Sequence, residues 1–439
     1  MAGNLLARTL SRASFAAALG EDAFVRAMLA FECALAESEA EAGVIPIEAA
    51  KAIGAASEGI TLSAEKLSAD GRIAGSLAIP LVRALTARVR EIDAKAASFV
   101  HYGSTSQDVL DTALVLCMRP CVAETDRVLG SAIFQFAEHA RRSASAVMLG
   151  RTMMQPATPI TAGIKIARWA TALSRCRARL ADAANRALCV QLGGPVGTLD
   201  ALGTKRLQVR RGLAARLGLA DARSWHGHRD ELLSFASALA ILVTTVGKIA
   251  RDVALLSQAE VGEMLESAPT KGVGSSSAMP HKRNPVACLQ AIAAATRAPG
   301  LLVTLFHSAA QEHERALGGW QAELATLPEL VETVGGALDA LDRIAGGLVV
   351  HPARMKQNLE SLQGLVCSER LARVLMQGMD RASALSQVDD WCATAIAEDR
   401  NLRDVAAAAR PELALDEVFS LDAIVNELVP VLEEELASL

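Results

Sequence analysis

A chain of 439 residues exceeds what one compact core accommodates, so two or three structural units are expected. Hydrophobic residues make up 51% and aromatics only 3%, so alanine and leucine carry the apolar content and an all-α protein is expected. A net charge of -5, with Lys and Arg scattered along the chain, leaves no basic footprint for nucleic acid.

Near the start, Arg8 and Arg12 precede an apolar run from Phe15 to Leu19 that Glu21 and Asp22 end. It is too short for a secretory signal, and a cytoplasmic location is expected. From Ala23 to Ala42 apolar residues recur at helical spacing, with Gly43 and Pro46 as stop signals. Helical sequence continues to about Val100, where HYGSTSQD (His101 to Asp108) breaks the period. Read alone, Thr105 and Ser106 there are N-cap residues for the helix that follows. Long helices rich in Ala, Leu, Val and Ile are expected over roughly 109–148, 157–190 and 230–265. Between the first two lies GRTMMQPATP, with Gly150, Arg151, Thr152 and Gln155. By itself it reads as a helix connection, Pro156 and Pro159 marking the next helix start. Leu232 to Gly247 carries no charge, but it is too short for a membrane span and is diluted by Ser234, Ser237, Thr244 and Thr245. A helix buried in a bundle, within an oligomer, is expected.

The densest chemistry lies in GVGSSSAMPHKRNPV, residues 272 to 286. Glycines free its backbone, serines supply small donors, and Lys282 and Asn284 are groups that grip a carboxylate, so the stretch reads as a mobile active-site loop for an anionic substrate. Downstream, QEHERALGGWQAE sets Arg315 before Gly318 and Gly319 and on its own reads as a surface charge run. A smaller helical unit follows from about Pro352, giving expected divisions at 1–108, 109–351 and 352–439. No strand pattern of convincing length appears. The eight cysteines are widely spaced with no CxxC pair and read as reduced, mostly buried thiols. His307 and His313 are six apart, on different helix faces, and Trp225-His226-Gly227-His228 lacks a third ligand, so neither metal nor cofactor is expected.

Together these segments carry a resemblance. SSSAMPHKRNP, from Ser275 to Pro285, is similar to the GSSxMPxKxNP signature of the fumarase/aspartase superfamily, and the remaining segments follow in that superfamily's order over nearly the whole chain. The resemblance implies a three-domain all-α fold whose central long-helix bundle forms a twenty-helix core in a D2 homotetramer, each active site shared among three subunits. It implies Ser276 as the proton-transfer residue and Lys282 beside it in the catalytic loop, with Lys282 and Asn284 holding a substrate carboxylate. It assigns Thr105, Ser106 and Gln107 to the first substrate-binding segment, Thr152 and Gln155 to the second, and Arg315 to the same small polycarboxylate. His101 either orients substrate or makes a structural loop hydrogen bond; His226 and His228 either reach the site or are solvated loop histidines. Ser275 stands where most relatives have glycine.

Ammonia-, fumarate- and AMP-releasing relatives commonly show histidine after the second segment's threonine, where this chain has Met153. Methionine transfers no proton, so a carbon–nitrogen lyase would lack a participant. The lactonising branch, which acts on carboxylated muconates, also lacks that histidine, and GSTSQDVLDTALVL, GRTMMQPATPITAGIK, QLGGPVGTL, WHGHRD and EHERALGGWQAE look like that branch. WHGHRD departs from it at His228, where glutamine is expected. A sulfonated-muconate enzyme, an adenylosuccinate-lyase-like enzyme and a crystallin-like structural protein stay open as alternatives.

Overall fold

The helical period seen in the sequence is realised along most of the chain. The structure, a computed structural model, describes residues 9–267, 274, 279 and 281–439. Short helices come first, Ala13–Ala18, Glu21–Glu41, Ile47–Gly59, Ala64–Ala74 and Ala78–Ile92. Five long ones follow, Ser106–Arg142, Ala162–Ala187, Asp230–Leu256, Val286–Ala309 and Gly319–Gly347, with Arg206–Leu217 between the second and third. The longest has 37 residues, about 55 Å at helical rise. From Pro352 onward six short helices run to Ala437. Several begin on the side-chain caps their sequences offer: Ser63 accepts from the Lys66 N–H, Asp380 from those of Ala382 and Ser383, Asn401 from Arg403 and Ser420 from Ala423.

The chain folds as two compact units. The first comprises residues up to Val128, Cys176–Gly247 and Ala293–Asp339; the second comprises Leu129–Arg175, Lys248–Ile292 and Ala340–Leu439. Phe15, Phe31, Leu35, Leu81, Leu85 and Phe235 are fully buried in the first. In the second, Leu371, Trp391, Leu402 and Ile424 pack with Val147 and Leu149. Each such side chain contributes about 1.5–3 kcal/mol by leaving water.

The segment expected to be a plain helix connection is instead a β-hairpin: β1 (Val147–Thr152) pairs antiparallel with β2 (Gln155–Thr161), Thr152 facing Gln155. Its two-residue turn is Met153-Met154, with φ of 49° and 67°. Two positive φ values give the turn the twist that a tight hairpin needs, but methionine is not the residue type that announces it. The next helix accordingly begins at Ala162 rather than near 157. A second short pair, β3 (Met264–Glu266) with β4 (Leu348–Val350), ends the polypeptide's approach to the serine-rich loop.

The uncharged stretch lies in Asp230–Leu256, a helix long and apolar enough to cross a membrane, but 61% of its most apolar window is buried inside the protein. Val286–Ala309 passes the same length and composition test with only 28% buried, and Leu289, Val303 and Phe306 are exposed on it. All eight cysteines are free thiols, six of them buried; burial pushes Cys117 up to about 11 and Cys121 up to about 12.

Candidate active site

In the first unit the site is built at the head of the Ser106–Arg142 helix. Val109 N–H bonds the Thr105 carbonyl, so Thr105 occupies the N-cap position, but its hydroxyl is turned to another task. Asp108, three residues on, reaches back to accept the Thr105 N–H at 3.0 Å, half of a capping box. That releases the two hydroxyls: Arg315 donates from Nη1 to Thr105 Oγ1 at 2.6 Å and from Nη2 to Ser106 Oγ at 3.2 Å. The first and fourth polar segments are thus brought together. Among the described residues no carboxylate pairs with the Arg315 guanidinium.

Asp108 is fully buried, and its carboxylate is saturated by donors from two further segments. Gly193 N–H and Gly194 N–H bond it at 2.9 and 3.0 Å, Gln191 Nε2 at 3.2 Å, and His226 Nε2 lies 2.7 Å from Oδ1. A Cβ on Gly193 would lie 2.9 Å from the His226 ring, so the close approach needs glycine. His226 is therefore no solvated loop histidine: it is buried, bonded to Asp108 and to Ser224. His228 is exposed and forms an isolated bridge with Ala310. Gln107 is buried and donates to the His226 carbonyl at 3.1 Å and to Asp111 at 3.3 Å, which ties the two loops together. His101 Nδ1 sits 2.7 Å from Glu32 Oε1.

One turn beyond Asp108, buried Asp111 accepts from Arg229 at 2.8 and 3.2 Å, and from Trp320 Nε1 at 2.9 Å. Arg229 also forks onto Glu323, and its guanidinium lies 4.4 Å from the Trp225 ring centroid. Burial alone would lower the Arg229 pKa, but Asp111 and Glu323 outweigh it and raise it. For Glu323, burial raises the pKa against the pull of Arg229. The triad fixes the entries of three long helices relative to one another within this unit. Sequence reading missed Asp108, Asp111, Arg229 and Glu323 as a framework; the available signal was Asp108 and Asp111, three apart on one helix face within an otherwise apolar run.

The second unit holds the other segments. Thr152 and Gln155 are exposed cross-strand partners at the end of the hairpin. Just behind that tip the hairpin is anchored by Arg151, which forks onto buried Glu263 at 2.8 and 2.9 Å, with Asn358 also donating to Glu263 at 2.9 Å. The Lys165 pKa is lowered by burial, with Lys248 and Arg151 adding to that and Asp252 opposing.

Both ends of the serine-rich loop are tied down here. Ser267 N–H bonds the Gly347 carbonyl at 2.7 Å, and the Glu266 carboxylate caps the Val286–Ala309 helix through Ala287 and Cys288 N–H, each at 2.9 Å. Gly274, at φ 72°, accepts from Asn284 N–H at 2.8 Å, and a Cβ there would meet the Asn284 carbonyl at 2.6 Å. Lys282 is exposed and Asn284 half-buried; Ser276 lies outside the described residues. Among the described residues no cluster of three His, Cys, Asp or Glu side chains is arranged to hold a metal.

This arrangement has relatives. Residues 7–300 match the Lyase family. The chain is 44% identical to the 3-carboxy-cis,cis-muconate cycloisomerase of Bradyrhizobium diazoefficiens over 92% of its own length and 90% of that protein. It is 40% identical to the enzyme of the same name from Acinetobacter baylyi, over 94% of each. The crystal structure of 3-carboxy-cis,cis-muconate lactonizing enzyme from Pseudomonas putida superposes with a TM-score of 0.91 at 38% identity, covering 99% of this chain and 98% of that one.

Proposed function

The chain belongs to the fumarase/aspartase superfamily of lyases, and from that premise we propose that it is a cycloisomerase that lactonises 3-carboxy-cis,cis-muconate to 4-carboxymuconolactone. Such a step belongs to the protocatechuate branch of the β-ketoadipate pathway. The observation that carries the reading is Arg315: a guanidinium with no carboxylate partner of its own among the described residues, aimed by two hydroxyls at the head of a long helix. A trianionic substrate supplies the missing carboxylate, and the positive helix terminus adds to the attraction.

In the reaction one substrate carboxylate oxygen forms a C–O bond to a carbon of the conjugated diene. The π pair moves to the neighbouring carbon, where a second carboxylate takes it up as an aci-carboxylate. Ser276 then hands its hydroxyl proton to that carbon. Holding three carboxylates against their mutual repulsion and stabilising the added charge are the larger demands, met by Arg315, Thr105, Ser106, Lys282 and Asn284, with Thr152, Gln155 and His101 as further ligands. Gln107 belongs to the first segment and acts from its buried position through the loop it ties, and His228, from WHGHRD, is a further ligand. Met153 fits a nucleophile that arrives already charged and a leaving carboxylate that needs no proton.

The enzyme is a cytoplasmic homotetramer needing no cofactor, with the 1–108, 109–351 and 352–439 divisions and each site assembled from three copies. Two features support assembly. The Met153-Met154 tip, 97% and 68% exposed in a costly backbone conformation, is ill suited to water. So is the exposed row of Leu289, Val303 and Phe306. The test of the reaction is loss of diene absorbance with 3-carboxy-cis,cis-muconate, its 3-sulfo analogue and plain cis,cis-muconate. Fastest turnover of the carboxy compound is expected; release of AMP and fumarate from adenylosuccinate, with the muconates untouched, contradicts it.

A further inference from the structure

Glu32 stands apart from every motif that points to the site, yet it ends on the site's first segment. It lies on the Glu21–Glu41 helix, 69 residues from His101, and is 1% exposed. One carboxylate oxygen, Oε1, lies 2.7 Å from His101 Nδ1; the other, Oε2, is buried without a hydrogen-bond partner among the described residues. His101 meets it with its backbone at φ 63°, a conformation few non-glycine residues adopt. Since a carboxylate only accepts, Nδ1 must carry the hydrogen, and Nε2 is left as the ring's working atom.

We propose that Glu32 is a positioning residue that holds His101 as an imidazolium, so that Nε2–H donates to a substrate carboxylate. This rests on the lactonisation reading and adds a cation to the same site. The groups acting on His101 agree: burial pulls its pKa down, but Glu32 and Asp108 outweigh this and raise it. Glu32 itself faces Glu39 on its own helix, a carboxyl that burial, with Glu32 adding, pushes up to about 9, so Glu39 is neutral where the enzyme works. The helices packed on this one carry charges already engaged elsewhere: Arg216 pairs with Glu37 and Glu41, and Lys51 with Glu48. Among the described residues, His101 is therefore the one cation bonded to Glu32.

The experiment is a Glu32→Gln enzyme, studied by NMR of ¹³C-labelled histidine, with His101→Gln to assign the ring, and by the pH dependence of kcat and KM. In the native enzyme the His101 ring should titrate above the ordinary histidine value, and kcat/KM should fall as pH rises through it. In Glu32→Gln both transitions should move down together by about one pH unit or more. KM at neutral pH should rise about tenfold while kcat changes less than about threefold. Glu32→Asp, which keeps the charge, should restore most of the shift. Identical His101 titration in native and Glu32→Gln proteins overturns the pairing. A lowered titration with no movement of the KM profile, or a loss confined to kcat or stability, overturns the substrate role. A native enzyme inert towards the muconate removes the lactonisation reading and the substrate half of this proposal, while the ring titration alone still decides the Glu32–His101 half.

Discussion

Arg315 and Glu39 show how much depends on single side chains. The Arg315 guanidinium spans Thr105 and Ser106 with two nitrogens, a geometry that an ammonium lacks. Arg315→Lys should therefore keep the fold but lower kcat/KM by about 10- to 100-fold, chiefly through KM; steady-state kinetics with an unchanged melting curve checks it. Glu39 is fully buried, with neither oxygen hydrogen-bonded among the described residues. Its folded value near 9 lies above that of an exposed glutamate, so the folded protein binds this proton more tightly than the unfolded chain. The resulting stability is fully present below the unfolded value and is lost as pH rises through about 9, at up to about 1.4 kcal/mol per pH unit. Glu39→Gln should remove that slope, which runs from the unfolded value up to about 9, from the pH dependence of the unfolding free energy; parallel slopes would show that Glu39 ionises freely in the fold.

At the scale of elements, the triad of Arg229, Asp111 and Glu323 fixes the helix entries on which the first segment is mounted. Removing one partner leaves buried charge uncompensated, so Arg229→Met should cost about 3–5 kcal/mol in unfolding free energy, and part of it should be regained at acid pH as the two carboxylates protonate. Three of the long helices were legible in the sequence because their period is local: Asp230 begins a helix where the apolar repeat begins. The Val286–Ala309 and Gly319–Gly347 helices were not, since the polar segments before them held the reading. The polar segments were legible as interruptions of that period. The β1–β2 hairpin was not, since Met153 and Met154 adopt positive φ without the Asn or Gly that would mark the turn. Nor was the meeting of Arg315 with Thr105, 210 residues apart, or of Glu32 with His101, because such contacts follow from packing and leave no spacing to read. The resemblance supplied Arg315 as a ligand; what orients it came only from the fold.

For the whole molecule, the proposed function requires that Arg315 with the first segment, and Ser276 with the serine-rich loop, serve one reaction from different copies of the chain. Two variants, Arg315→Ala and Ser276→Ala, should each be nearly inactive, Ser276→Ala by about 10²- to 10⁴-fold. The most direct measurement is to unfold and refold the two variants together and assay lactonisation. If sites are shared, mixed tetramers contain some sites with both residues intact, and activity should return to a substantial fraction, at most about a quarter, of the native rate. A mixture that stays as inactive as its parents, while native protein treated in the same way recovers, would contradict the shared site.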